Sequence, residues 1–188
     1  METGTQRREQ ILDAAVGVFG KFGFKKTSVD DLAGAAGISK QGLYLHFSSK
    51  EEVFLAGLQK YLDDGLSLVQ QELIRPDSTL FDRLVGAMDA WFGRHLAFFT
   101  PESFDVIEAS KVLAADRLKE YESALQAKLT KALAGSAEFK ATKNVCTPKE
   151  VTEVLLRCGL TWKHGCQSRT EFMEEMKLCI RACCQLEG

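Results

Sequence analysis

Apolar residues recur at intervals of three and four along this chain, and nowhere do they alternate with polar ones over the length of a strand. That period confines the fold to packed amphipathic helices, so the expected class is all-α, with about nine helices. At 188 residues, with 45% apolar and 27% charged side chains and only three prolines, the chain has the balance of a folded domain. No apolar run approaches the roughly 20 residues that span a bilayer, so no membrane partner is expected. The start, Met-Glu-Thr-Gly-Thr-Gln-Arg-Arg, has no apolar stretch behind its arginines and does not read as a secretory signal. The expected compartment is the cytoplasm.

Helix boundaries are written in caps and breakers. Ile11, Leu12, Ala15, Val18, Phe19 and Phe22 form the stripe of a first helix over residues 5–22, which Gly23 ends. Thr27 or Ser28 starts a second over 29–36, with Asp30 and Asp31 in the first turn, where carboxylates suit the helix dipole. Gly37 stops it. A third follows Ser39 to about Phe47. Ser49-x-x-Glu52 reads as the capping box of a fourth that reaches about Ile74. Further helices are expected over about 80–99, from Thr100-Pro101 to Lys111, over 114–134, from Thr147-Pro148, and from Ser168. Composition shifts near residue 50. The first fifty residues carry seven Lys/Arg against five Asp/Glu, and the rest 17 against 21. Two domains are expected, 1–50 and 51–188, with the fourth helix bridging them.

Thr27 to Lys50 is the informative stretch. Two short helices joined by a glycine turn make a helix-turn-helix. Val29, Leu32, Ile38, Leu43 and Phe47 point inward, and small Ala33 lets the helices approach. Lys40, Gln41, Gly42, Tyr44 and His46 are left outside or on the rim. Gln41 can bond both edge groups of an adenine in the major groove, and Gly42 lets backbone approach the duplex. Lys40, Tyr44, His46 and Lys50, with the hydroxyls of Thr27, Ser28 and Ser39, can bond phosphates.

The ordered string Ile11-Leu12-Asp13-Ala14-Ala15, Phe19, Phe22-Gly23, Thr27-Ser28-Val29-Asp30-Asp31-Leu32-Ala33, Ala36-Gly37-Ile38-Ser39-Lys40, Leu43-Tyr44-x-His46-Phe47 and Lys50-Glu51 closely resembles the TetR family of bacterial transcriptional regulators. The resemblance covers about the first quarter of the chain. It implies an all-helical homodimer whose first three helices bind an inverted-repeat operator in double-stranded DNA. A larger C-terminal body would hold a small-molecule effector and the dimer interface. Such proteins mostly repress, and the effector releases them. Carried onto this chain, the groove readers are Lys40, Gln41 and Gly42, and the phosphate contacts fall to Thr27, Ser39, Tyr44, His46 and Lys50. Two departures stand out. Gln41-Gly42 replaces the family's usual glycine or proline followed by a small polar residue, and Leu45 stands where an aromatic residue is common.

Two features of the body invite a function. Trp91, Phe92, His95, Phe98, Phe99 and Phe104, with Tyr121 and Trp162 later, have the character of an apolar effector pocket with a polar group in it, or of plain core. All six cysteines lie at or beyond Cys146. Cys179 and Cys183, one helical turn apart, could meet Cys158, Cys166 or Cys146 as a thiol switch or soft-metal sensor, or could pack as small hydrophobes. Cys166 is the expected reactive thiol, because Lys163 and His164 precede it. No phosphate loop, nucleophile elbow, paired metal motif or cofactor signature is present, and the three histidines are dispersed. The expected function is therefore non-enzymatic: a sequence-specific regulator, probed by DNA and effector. The rivals are a thiol- or metal-responsive regulator and a small thiol- or metal-handling enzyme.

Overall fold

The computed structural model describes residues 4–96 and 104–186. Every regular element among these is helical: α1 (Gly4–Phe22), α2 (Val29–Ala35), α3 (Lys40–Tyr44), α4 (Lys50–Leu73), α5 (Leu80–Met88), a π-helical turn (Asp89–Gly93), α6 (Arg94–Leu96), α7 (Phe104–Gly135), α8 (Ala137–Ala141), α9 (Pro148–Gly165) and α10 (Arg169–Cys184). The described residues group into two compact units. One contains those up to Asp63 and those from Phe104 to Leu118; the other contains Asp64 to Leu96 and everything from Lys119. The N-terminal unit thus takes in residues beyond the first fifty, from α4 and from the start of α7.

The first unit closes around Ile11, Ala15, Phe19, Leu32, Leu43, Phe47, Val53 and Phe54, all buried, with Val29 and Ile38 half-buried against them. Gly23 and Gly37 take φ of 83° and 65°, the left-handed conformation that suits a residue without Cβ at a helix end. Ser28 is the N-cap of α2 in a reciprocal capping box with Asp31, and Ser39 caps α3 by accepting from the Gly42 amide. The box expected at Ser49 is split between two serines. Ser49 Oγ accepts from Glu52 N at 3.1 Å, while the Glu52 carboxylate reaches past it to the amide and hydroxyl of Ser48. Those two bonds, the amide's first, hold the Glu52 carboxyl below its ordinary range.

The second unit packs α9 and α10 on each other and on α5 and the π turn. Leu84, Met88, Leu155, Phe172, Met176 and Ile180 are fully buried there. Its helix starts follow the expected chemistry: Thr147 and Glu150 form a capping box around Pro148, and Ser168 caps α10. Other features depart from expectation. The spacing of Val151, Val154 and Leu155 reads as one apolar face, yet Val154 is 42% exposed, because the buried stripe runs through Val151, Leu155 and Gly159. Cys184 is buried on α10, whereas Cys183 is half-buried. The break expected between Lys111 and Ala114 is present: within α7, Ala114 has non-helical backbone (φ −144°, ψ 28°). The expected start at Thr100-Pro101 lies outside the described residues. Short α8, capped by Ser136 and anchored by buried Phe139, was not foreseen.

Gly159 marks a close approach to apolar side chains inside the second unit. A Cβ there would stand 2.5 Å from Phe92 Cδ2 and 2.8 Å from Met88 Cε. Gly159→Ala should therefore destabilise the protein by about 1–3 kcal/mol through overpacking. Urea unfolding would show it as a lower midpoint at unchanged slope, and an unaltered midpoint would refute the close approach.

Candidate nucleic-acid interface

The expected groove readers sit on α3, a helix of five residues that cannot hold itself together in water. Its inward side chains, Leu43 and, just beyond it, Phe47, are 0% and 1% exposed and fix it to α1 and α2. Arg8, on α1, secures its far end. Arg8 Nη1 donates to the His46 carbonyl at 2.7 Å, and its guanidinium lies 4.0 Å from the centre of the Phe47 ring. The sequence reading missed Arg8, since nothing in the spacing of a lone arginine tells that it folds over residues 38 positions away.

The turn between α1 and α2 is held just as firmly. Asp105, in the first turn of α7, accepts from the amides of Phe24 (2.8 Å) and Lys25 (2.6 Å). Lys50 Nζ donates to the carbonyls of Phe24 (3.0 Å) and Thr27 (3.1 Å). It also lies 4.5 Å from the centre of the Phe24 ring, which packs against Phe19 and Phe54.

These contacts sort the expected DNA-binding residues. Gln41 and Tyr44 are exposed on α3, and Gly42 and His46 are half-buried beside them. Lys40 is exposed and paired with Asp30 at 3.0 Å. That hydrogen bond, and then the charge of Asp30, raises the Lys40 pKa above its usual value. Ser28 and Ser39 are exposed, with their hydroxyls engaged as caps. Thr27 is placed differently from expectation. It is 2% exposed, and its hydroxyl donates to the Gly23 carbonyl at 2.6 Å, so it tightens the turn from inside. Lys50 is likewise turned inward by two carbonyls, an arrangement that serves the turn before any phosphate. Two exposed cations not singled out from sequence, Lys25 and Lys26, stand just ahead of the α2 cap. Their adjacency to Thr27-Ser28 was a readable signal.

Residues 11–56 match the family described as bacterial regulatory proteins, tetR family. That segment, about a quarter of the chain, is of the TetR family. Among its relatives, the HTH-type transcriptional activator FasR of Mycolicibacterium smegmatis is 44% identical over 87 residues, 46% of this chain and 39% of that one. The HTH-type transcriptional repressor KstR2 of the same species is 38% identical over 86 residues, 46% of this chain and 42% of that one. The chain thus spans less than half the length of these curated relatives. Solved structures resemble it over nearly its whole length. A TetR-family regulator PfmR from Thermus thermophilus aligns with a TM-score of 0.66 at 24% identity, covering 91% of this chain and 97% of that one. A transcriptional regulator from Rhodococcus aligns at 0.72 and 16%, covering 95% and 96%. Those similarities establish the fold of this chain.

The residues expected to line an effector pocket are only partly brought together. Phe98 and Phe99 lie outside the described residues, and Phe104 is placed as the first residue of α7. Trp91 and Phe92 are buried in the π turn, where Trp91 meets Gly65 and Phe92 meets Gly159. Lys163 Nζ lies 5.8 Å from the centre of the Phe92 ring. Trp162 is half-buried on α9, and Tyr121 is buried on α7. Half-buried His95 is held neutral. Withdrawal from water, and then the charges of Lys163, Arg94 and His164, keep its pKa well below 6.5.

The cysteines lose the electrostatic argument for reactivity. Burial and the carboxylates of Glu171 and Glu175 push the Cys166 thiol up, opposite to the expectation drawn from Lys163 and His164. Cys179 lies 3.9 Å from Cys183, sulfur to sulfur, and is also bonded to Cys158. Burial, then those two neighbours, raise its pKa, and burial pushes Cys184 up to about 12. The raised thiols of Cys166, Cys179 and Cys184 resist ionisation. Among the described residues no group of three or more His, Cys, Asp or Glu side chains is arranged to hold a metal ion.

Two outcomes follow from these geometries. Asp105→Asn keeps the shape but offers one acceptor where two amides donate. It should cost about 1 kcal/mol of stability, and amide exchange at Phe24 and Lys25 should accelerate about fivefold. Unchanged exchange at both amides would show that the carboxylate does not hold the turn. The depressed His95 pKa makes stability depend on pH with a definite sign. Below about pH 6.5 the unfolded chain binds a proton that the folded chain refuses, so stability is full above that pH and falls as the pH drops. Urea midpoints at about pH 7.5 and 5.5 measure this, and His95→Gln should lessen the difference; an equal difference in both proteins would assign it to other groups.

Proposed function

We propose that this chain is a sequence-specific transcriptional regulator that binds an inverted repeat in duplex DNA as a homodimer. A small-molecule effector held by the second unit would release it. The observation that carries the reading is the exposed face of α3. Gln41 and Tyr44 stand in solvent on a short helix clamped by Leu43, Phe47 and Arg8, which is how a side chain must be held to read base edges without blurring the register. Lys40, Lys25 and Lys26 would supply charge for the phosphates, as would the hydroxyls of Ser28 and Ser39, the phenol of Tyr44 and the imidazole of His46.

A second copy of the chain fits the second unit. Val154, Leu160 and Leu178 are 42%, 49% and 61% exposed on α9 and α10, which pack on each other, and a two-fold partner would cover them. The π turn supports the effector reading, because such irregular turns are frequent at functional sites and this one carries Trp91 and Phe92 next to neutral His95. FasR is named an activator and KstR2 a repressor. Repression by occupying the operator is the simpler mode, and we take it for this chain. No helix among the described residues is long and apolar enough to cross a membrane. A regulator of this kind would act in the bacterial cytoplasm, where its DNA lies, and would need no catalytic chemistry.

Selection from a random duplex pool tests the reading. An inverted repeat should be enriched, and its affinity should fall steeply with salt. Replacing adenines in it one at a time by 7-deazaadenine should weaken the wild type at a position where Gln41→Ala is indifferent. Salt-sensitive binding with no enriched sequence would defeat the proposal.

A further inference from the structure

Leu45 follows the last residue of α3 and is 85% exposed, while Leu43 and Phe47 on either side of it are buried. A single exposed leucine is ordinary on a protein surface. This one is distinguished by its place. Its amide donates to the Gln41 carbonyl at 3.2 Å, so it stands one helical turn beyond Gln41. Gln41 is the exposed amide on that helix, and the neighbouring cation, Lys40, is drawn toward Asp30 at 3.0 Å. An unpaired lysine would favour the O6 and N7 acceptors of guanine, so its engagement by Asp30 shifts the balance of the face away from guanine.

We propose that Leu45 is a specificity-determining residue that reads the 5-methyl group of a thymine, and that Gln41 and Leu45 together select an adenine with a thymine close by. The inference rests on reading the head as a sequence-specific binder of duplex DNA, and it names the bases that head prefers. The chemistry is direct. The thymine methyl is the one apolar group that a base pair presents in the major groove, and the groove is where a helix-turn-helix lays its second helix. An isobutyl side chain cannot bond a phosphate or a base edge; it gains only by covering apolar surface. One helical turn spans about 6 Å, close to two base-pair steps of about 3.4 Å, so the thymine should lie within about two steps of the adenine that Gln41 reads. The surface around Leu45 is continuous with the DNA-reading face, with Tyr44 48% exposed beside it, which makes the groove its occupant in preference to a protein or an effector.

The test uses the full chain and the duplex enriched from a random pool. Thymines in that duplex are replaced by uracil one at a time, which deletes only the methyl. For the wild type, one position in each half-site should bind about fourfold more weakly, the worth of one buried methyl-sized group. For Leu45→Ala, uracil at that position should make no difference, and Leu45→Met should restore most of the wild type's sensitivity. Because Leu45 lies outside the core, none of these variants should alter the urea midpoint. An enriched site at which no uracil substitution weakens the wild type would overturn the assignment of Leu45 alone. So would a uracil effect of the same size in Leu45→Ala. A pool that yields no enriched sequence would overturn both this inference and the regulator reading beneath it.

Discussion

The turn joining α1 to α2 is gripped by opposite charges. The Asp105 carboxylate takes its amides, and the Lys50 ammonium takes its carbonyls. A turn of a few residues has little apolar surface of its own, so charge-assisted hydrogen bonds decide its shape. The direction in which the chain leaves the turn sets the start of α2, and α2 in turn positions α3 through Leu32, Ala33 and the Gly37 corner. An error of a few degrees at Phe24 would therefore displace Gln41. The aromatic packing of Phe19, Phe24 and Phe54 fills the space behind the turn, and burial of Thr27 closes it from within.

Much of this was legible in the residues. Caps such as Ser28, Ser39, Thr147 and Ser168 fall where helices begin because they satisfy orphan amides locally, with no need of tertiary structure. The helix-turn-helix core was legible for the same reason: Leu32, Ala33, Leu43 and Phe47 are close in sequence and follow one period. What could not be read depends on distant partners. Thr27 and Lys50 have the chemistry of phosphate ligands, and only the fold reveals that they donate to backbone carbonyls. Asp105 gave no sign that it would clasp residues 80 positions earlier. The π turn was invisible for another reason: Asp89–Gly93 has an ordinary helical composition, and the extra residue per turn shows only in the hydrogen bonding.

The cysteines show how a local argument can point the wrong way. Lys163 and His164 are near Cys166 in sequence, and positive charge would have favoured its thiolate. In the fold, Glu171 and Glu175 act on it instead, and burial adds to their effect. Cys179 and Cys184 lie on α10, where withdrawal from water and neighbouring thiols disfavour their ionisation. A high density of cysteine does not by itself make a reactive site, and the exposed candidate groups stand at α3 and its C-cap: an amide, a phenol and an isobutyl group.

The break in α7 at Ala114 bears on how such a protein can be recombined. Its N-terminal unit is discontinuous in sequence: Asp105 and Val106 belong to it although they are encoded far beyond the segment that identifies the family. A gene fusion cut at the end of α4 would export the reading helix without the carboxylate that steadies its approach. The compact N-terminal unit is thus its first residues plus a borrowed helical turn, and a head moved to another body would keep this turn only where that body supplies an equivalent acceptor.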